Sequence, residues 1–126
     1  MAKLVSAFGY QGDAMNLPVA SVEASVLYYE SKMGFGVVER ETEPINKVLF
    51  ERDTVRFGIA ENGGDPEQDG CAFHIDDAEA LRSEFIANGL ENIGQIKNET
   101  REDGSRFKVF FVIAPDGLCY WFGERI

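Results

Sequence analysis

The chain repeats its own layout, and that constrains the fold more than any other feature. Val19-Ala20-Ser21-Val22-Glu23-Ala24 lines up with Ile75-Asp76-Asp77-Ala78-Glu79-Ala80 at an offset of 56 positions, and Gly34 lines up with Gly89 at 55. Each copy opens on a strand, passes through a helical pattern and continues into three strand-like runs. A near-constant offset over a whole unit reads as internal duplication, carried by topology more than by identities. The chain has 126 residues, which is one domain with a modest core and not two independent ones.

The first helix is read from Ser21, a good N-cap, followed by Val22, Val26, Tyr29 and Met33 on one face. Those spacings give a helix with one buried stripe. Gly34 sits where a left-handed C-cap is wanted. Strand-like runs follow at 35–41, 46–52 and 54–61, with a preceding strand expected over 13–19. The segment NGGDPEQDG (62–70) is rich in Gly and Pro and reads as a linker. In the second copy, 71–75 is a strand. Asp76 is expected to cap a helix, with Glu79 completing a capping box. Ala78, Leu81 and Phe85 form its buried stripe. Strands are expected at 92–98, 106–114 and 118–124, with REDGS (101–105) as a hairpin turn. Residues 1–12 show no clear period and read as a short strand or an arm.

Charge and composition exclude several classes. The net charge is −10, which disfavours nucleic acid, because phosphate binding needs a basic patch. No apolar run is long enough to span a membrane. The segment MAKLVSAFGYQGD has one Lys and a short, Gly-interrupted apolar run, so no signal peptide is read and a cytoplasmic protein is expected. Cys71 and Cys119 form no metal-binding or disulfide pattern and read as small buried thiols.

Two segments carry a resemblance. NLPVASVEASVLYYESKMGFGVVER (16–40) and FFVIAPDGLCYWFGE (110–124) resemble the opening and closing motifs of the vicinal oxygen chelate superfamily, which includes glyoxalase I, extradiol dioxygenases and bleomycin resistance proteins. Ala114 stands where the family usually has Asp before the PDG proline. The resemblance implies an α+β fold of two βαβββ modules forming curved mixed sheets around a cleft. Module one covers about 13–61, the linker 62–69 and module two about 70–124, in a single domain over 1–126. Metal-dependent members place four ligands on the cleft faces. The motifs put those positions at Ala14, Gly58, Gly70 and Trp121, none of which can bind a divalent ion, and a shift of one or two residues offers Asn16, Glu61 or Asp69 but no full set. No metal and no cofactor are therefore expected.

Strand alternation then proposes a cleft lining. Met15, Leu17 and Val19 should pack under the first helix, leaving Asn16 toward the cleft. Arg56, Gly58 and Ala60 share the cleft face of one strand, Gly70, Ala72 and His74 that of another, and Cys119, Trp121 and Gly123 that of the last. Both faces of 106–114 are apolar, so its phase is ambiguous; Phe110 is assigned to the cleft. The ligand-binding set is thus Asn16, Arg56, Gly58, His74, Phe110 and Trp121. Each has a plainer reading. Trp121 can simply fill space where a metal was lost, Arg56 can pair with a neighbouring Glu, and a lone His is more often structural than catalytic. No catalytic triad is present in the pattern, so no catalytic residue is assigned. Tyr28 and Tyr29 read as packing and surface.

The resemblance implies a metal-free small-molecule binder like the bleomycin resistance branch; Trp121 and the net negative charge suit a cationic or aromatic guest, while Arg56 argues locally for an anionic or carbonyl group on it. The alternatives are a glyoxalase- or dioxygenase-type enzyme and a regulatory protein with a degenerate cleft. It also implies a homodimer, with the cleft at or near the interface. Light scattering behind size exclusion should give twice the 14.0 kDa chain mass; a monomer at micromolar concentration contradicts it.

Overall fold

The structure is a computed structural model and describes residues 2–126. In chain order its elements are β1 (Leu4–Gly9), β2 (Leu17–Pro18), α1 (Val22–Met33), β3 (Gly36–Glu41), β4 (Lys47–Arg52), β5 (Val55–Ala60), a 3-10 turn (Pro66–Gln68), β6 (Gly70–Ile75), α2 (Ala78–Ala87), β7 (Lys97–Thr100), β8 (Arg106–Ile113) and β9 (Cys119–Arg125). The first sheet has the order β2-β5-β4-β3 and the second β1-β6-β9-β8-β7. In each module the first strand runs parallel to the last, β2 with β5 and β6 with β9, and the other pairs are antiparallel. This is the expected α+β arrangement of two mixed sheets, each with one helix. No helix is long and apolar enough to cross a membrane among the described residues.

The two copies share their helix starts. Ser21 caps α1 by accepting from the Ala24 N–H, and Asp77 caps α2 by accepting from the Ala80 N–H. The first free amide of each helix meets a carboxylate from its own module's last strand region. Val22 N–H donates to Glu61 at 2.9 Å, and Ala78 N–H donates to Glu124 at 2.8 Å. An acid there satisfies an orphan donor and opposes the positive end of the helix dipole. Gly34 ends α1 with φ +76, a left-handed conformation that glycine adopts without cost.

Four expectations shift. The strand over 13–19 contracts to Leu17–Pro18, because Asp13 folds 13–16 into a turn: its carboxylate accepts from the Met15 N–H and the Asn16 amide. Met15 is consequently exposed and does not lie under α1. Asp77, not Asp76, caps α2; Asp76 instead accepts from the Lys3 N–H at 2.7 Å. Of 92–98, only Ile93 bridges to Val112 before pairing begins at Lys97. The described part of the N-terminal arm is β1, which extends the second sheet along β6.

The helix-facing sides of both sheets meet in one core. Tyr29 and Met33 of α1 and Leu81 and Phe85 of α2 are fully buried there with Phe50, Phe57, Phe73 and Phe122. Rings from the two modules touch directly: Phe57 to Phe73 at 5.5 Å, Phe35 to Phe73 at 5.8 Å and Tyr29 to Tyr120 at 5.8 Å. Each such pair adds about 0.5–1.5 kcal/mol beyond its area burial. Polar contacts reinforce the seam. Arg52 on β4 forms a two-pronged pair with Glu84 on α2 at 2.7 and 2.8 Å, and also donates to the Met33 carbonyl at the end of α1. Tyr29 Oη donates to Asp116 Oδ2 at 2.6 Å and lies 2.6 Å from Tyr120 Oη. With one proton per phenol, Tyr120 donates to Tyr29.

Candidate functional site

With the helix-facing sides joined, candidate site residues fall on the opposite faces of the sheets. On the second sheet, register places Ser6 beside His74, Phe8 beside Ala72, and Ala72 beside Trp121. Gly123 permits the local geometry. The Trp121 ring lies over it so closely that a Cβ would come within 2.1 Å. Trp121 then packs with Phe107 and Val109 and is 5% exposed. His74 touches three rings edgewise or tilted: Trp121 at 5.2 Å, Phe107 at 5.7 Å and Phe8 at 5.8 Å. The Arg101 guanidinium caps Phe107 and Trp121 at 4.7 and 5.1 Å from their centroids.

Beside this cluster is an open depression of about 390 Å³, walled by Val5, Ser6, Phe8, His74, Phe107 and Arg125. Val5 and Phe8 are 62% and 60% exposed, unusual for large apolar side chains close together on an edge strand. The His74 imidazole makes no hydrogen bond among the described residues, so it lacks the orienting partner a general base needs. Its nitrogens can meet a guest. Burial, and then the Arg101 charge, push its pKa below the ordinary histidine value.

The first sheet carries a smaller depression of about 200 Å³, lined by Met15, Glu39, Glu41, Lys47 and Leu49. Asn16 lies at its edge, where its amide oxygen accepts from Lys47 at 3.4 Å. Arg56 is held by Glu51 at 2.7 Å across the β4–β5 pair, the plainer of its two readings. The two depressions have no wall residue in common. The structure therefore groups His74 with Trp121, and sets Asn16, Arg56 and Gly58 on the other sheet.

Phe110 is corrected. It is 1% exposed and stacks on Phe122 at 5.1 Å, with Phe85 of α2 beyond it. The other phase of β8 holds: Phe107, Val109 and Phe111 lie on the Trp121 side. Apolar residues on both faces hid this choice.

The glycines at two of the expected ligand positions sit where backbone passes close by. A Cβ on Gly58 would come within 2.3 Å of the Met15 carbonyl, and one on Gly70 within 1.9 Å of the Cys119 carbonyl. Backbone passes where a ligating side chain would project. Among the described residues no three His, Cys, Asp or Glu side chains converge. The residues present do not fit the divalent ion of the metal-dependent members.

Phe8, Phe107, Arg101 and Arg125 were not among the expected site residues. Their proximity depends on where β1 docks and on how the 101–105 turn folds back, which no local period reveals. Burial pushes the Cys71 thiol up to about 12, which keeps it protonated and inert.

No protein-family model and no curated protein matches the sequence. Solved structures do. A bleomycin-binding protein complexed with bleomycin superposes with a TM-score of 0.67 at 21% identity, covering 88% of this chain and 95% of that one. A bleomycin resistance determinant encoded on the transposon Tn5 gives 0.66 at 20%, covering 87% and 93%. A glyoxalase/bleomycin resistance protein/dioxygenase from Alicyclobacillus acidocaldarius gives 0.71 at 11%, covering 89% of each. The chain has the vicinal oxygen chelate fold.

Within that fold His74 is the only histidine of the chain, so its titration is directly readable by proton NMR. Its midpoint should lie below the ordinary value of about 6.5, and Arg101→Ala should raise it. The folded state favours neutral imidazole, so the unfolded chain takes up this proton first. Stability from this group is full above the ordinary histidine pKa and falls as pH drops from there through the folded value. A midpoint at or above 6.5 contradicts the packing described.

Proposed function

We propose that this protein is a metal-free small-molecule-binding protein that sequesters its ligand on the outer face of the second sheet. The observation that carries the reading is the depression between Phe8, His74 and Phe107. It combines exposed apolar walls with a few polar groups, His74, Ser6 and Arg125, which is the makeup of a pocket that orients a guest without transforming it. The bleomycin-binding neighbour, whose structure contains bleomycin, supports the same class.

The guest is aromatic and carries a net positive charge. Flat rings suit Phe8 and Phe107, and the chain's charge of −10 draws cations toward it. Arg125 and His74 favour a carbonyl or other acceptor on that guest. The protein acts as a homodimer in the cytoplasm. The apolar outer side of β1 is an edge of the second sheet, and a second copy set against it would deepen the open depression. Trp121 is assigned as the floor of the site more than its wall, because neighbours already cover its ring.

Bleomycin and a panel of aromatic cations should be titrated against the intrinsic fluorescence of Trp121, the only tryptophan. Saturable binding is expected without added metal. Phe8→Ala should weaken it about tenfold, the usual cost of losing an aromatic anchor, and should leave the fold intact because Phe8 is exposed. No binding across the panel, or an unchanged affinity in Phe8→Ala, would sink the proposal.

A further inference from the structure

A separate groove lies between the N-terminal half of α1 and the turn joining β8 to β9. Ser21, Ala24, Ser25 and Tyr28 line one side, Pro115 and Asp116 the other, around a cavity of about 270 Å³. None of these residues belongs to either sheet-face depression, so the groove is independent of the proposed ligand site.

Two observations make the groove more than a crease. The first is the Asp116 carboxylate. Its Oδ2 accepts from Tyr29 and Ser25 and its Oδ1 from the Leu118 N–H. All three donors are neutral, and no Lys or Arg pairs with Asp116 among the described residues. A half-buried carboxylate is thus hydrogen-bonded but without a counter-charge, which is costly. The second is the Tyr28 hydroxyl. It is buried and has no hydrogen-bond partner among the described residues, while its ring is fixed edge-on against Tyr29 at 5.2 Å. Buried hydroxyls are rarely left so. Lys32, on the adjoining stretch of α1, does not serve either group; its Nζ donates to the Asn88 carbonyl at 3.2 Å.

We infer that this groove binds a small primary ammonium, with Asp116 as its counter-charge and the Tyr28 and Ser21 oxygens as further acceptors. An ammonium brings three donors and no acceptor, which matches a wall of oxygens. Ala24 and Pro115 take the alkyl part. An anion is repelled by Asp116. A neutral alcohol satisfies Tyr28 but leaves the charge unmatched, so the preference for a cation is the signature of the site.

The experiment is a nitrogen-15 NMR titration with n-butylammonium chloride, with n-butanol and sodium chloride as matched controls. Saturable shifts are expected at the amides of Ala24, Ser25, Tyr28 and Leu118. Butanol should bind at least about tenfold more weakly, as should butylammonium to Asp116→Asn; Tyr28→Phe should weaken it about threefold. Should Asp116→Asn unfold, the butanol comparison and Tyr28→Phe decide. Non-saturating shifts, an equal response to sodium chloride, or unchanged affinity in the folded variants overturns the inference. Shifts confined to Phe8, His74 and Trp121 also overturn it, and would place the amine on the sheet face instead.

Discussion

One phenol joins the two modules. Tyr29 stands on α1 of the first copy, donates to Asp116 in the closing turn of the second, and accepts from Tyr120 on β9. All of this occurs in the middle of an aromatic core. Burial pushes both phenols well above their ordinary pKa and raises the Asp116 carboxyl too, in spite of the hydrogen bonds that favour its charged form. Groups held this way are either fully satisfied or strongly destabilising. Leaving one without its partner costs about 1–3 kcal/mol. Phe57 packs against the rings of both tyrosines and Phe73 against that of Tyr120, and Arg52 closes the seam on α2. The two copies of the repeat therefore do not make two small domains. They make the halves of one core.

That arrangement decides which faces of the sheets stay open. With their helix-facing sides spent on each other, the sheets keep only their opposite faces for ligands. Those faces are unlike. The first is laced with ion pairs, Glu41 with Lys47 and Glu51 with Arg56. The second is aromatic, with exposed Phe8 beside His74 and a sealed Trp121 beneath Arg101. Polar pairing across exposed strands contributes little to binding an apolar guest, whereas an open aromatic wall does.

Much of this was legible in the chain. The two-sheet, two-helix layout, both buried helical stripes, the Ser21 cap, Gly34 and the phases of β5, β6 and β9 all follow from local pattern. The failures share a cause, which is competition that a local pattern cannot weigh. Asp13 forms a turn that ends a would-be strand. Asp76 and Asp77 are equally good caps, and a distant Lys3 amide claims the first. Phe110 and Phe111 are equally apolar, and only contact with Phe85 and Phe122 selects between them. The approach of Phe8 to His74 is a long-range strand pairing, and the role of Asp116 depends on a tyrosine 87 positions away. The sequence motif at the closing turn marked a fold; its carboxylate proved to be a structural hub.

A shared core requires that both modules unfold as one body. Urea unfolding should be followed by Trp121 fluorescence, which reports the second sheet, and by the backbone amide signals of β4 and β5, which report the first. A single coincident transition is expected, and Phe57→Ala should move both curves together by about 3–5 kcal/mol, the usual cost of emptying a buried aromatic site. Two separate transitions, or a Phe57→Ala shift seen only by the first sheet, would contradict a shared core.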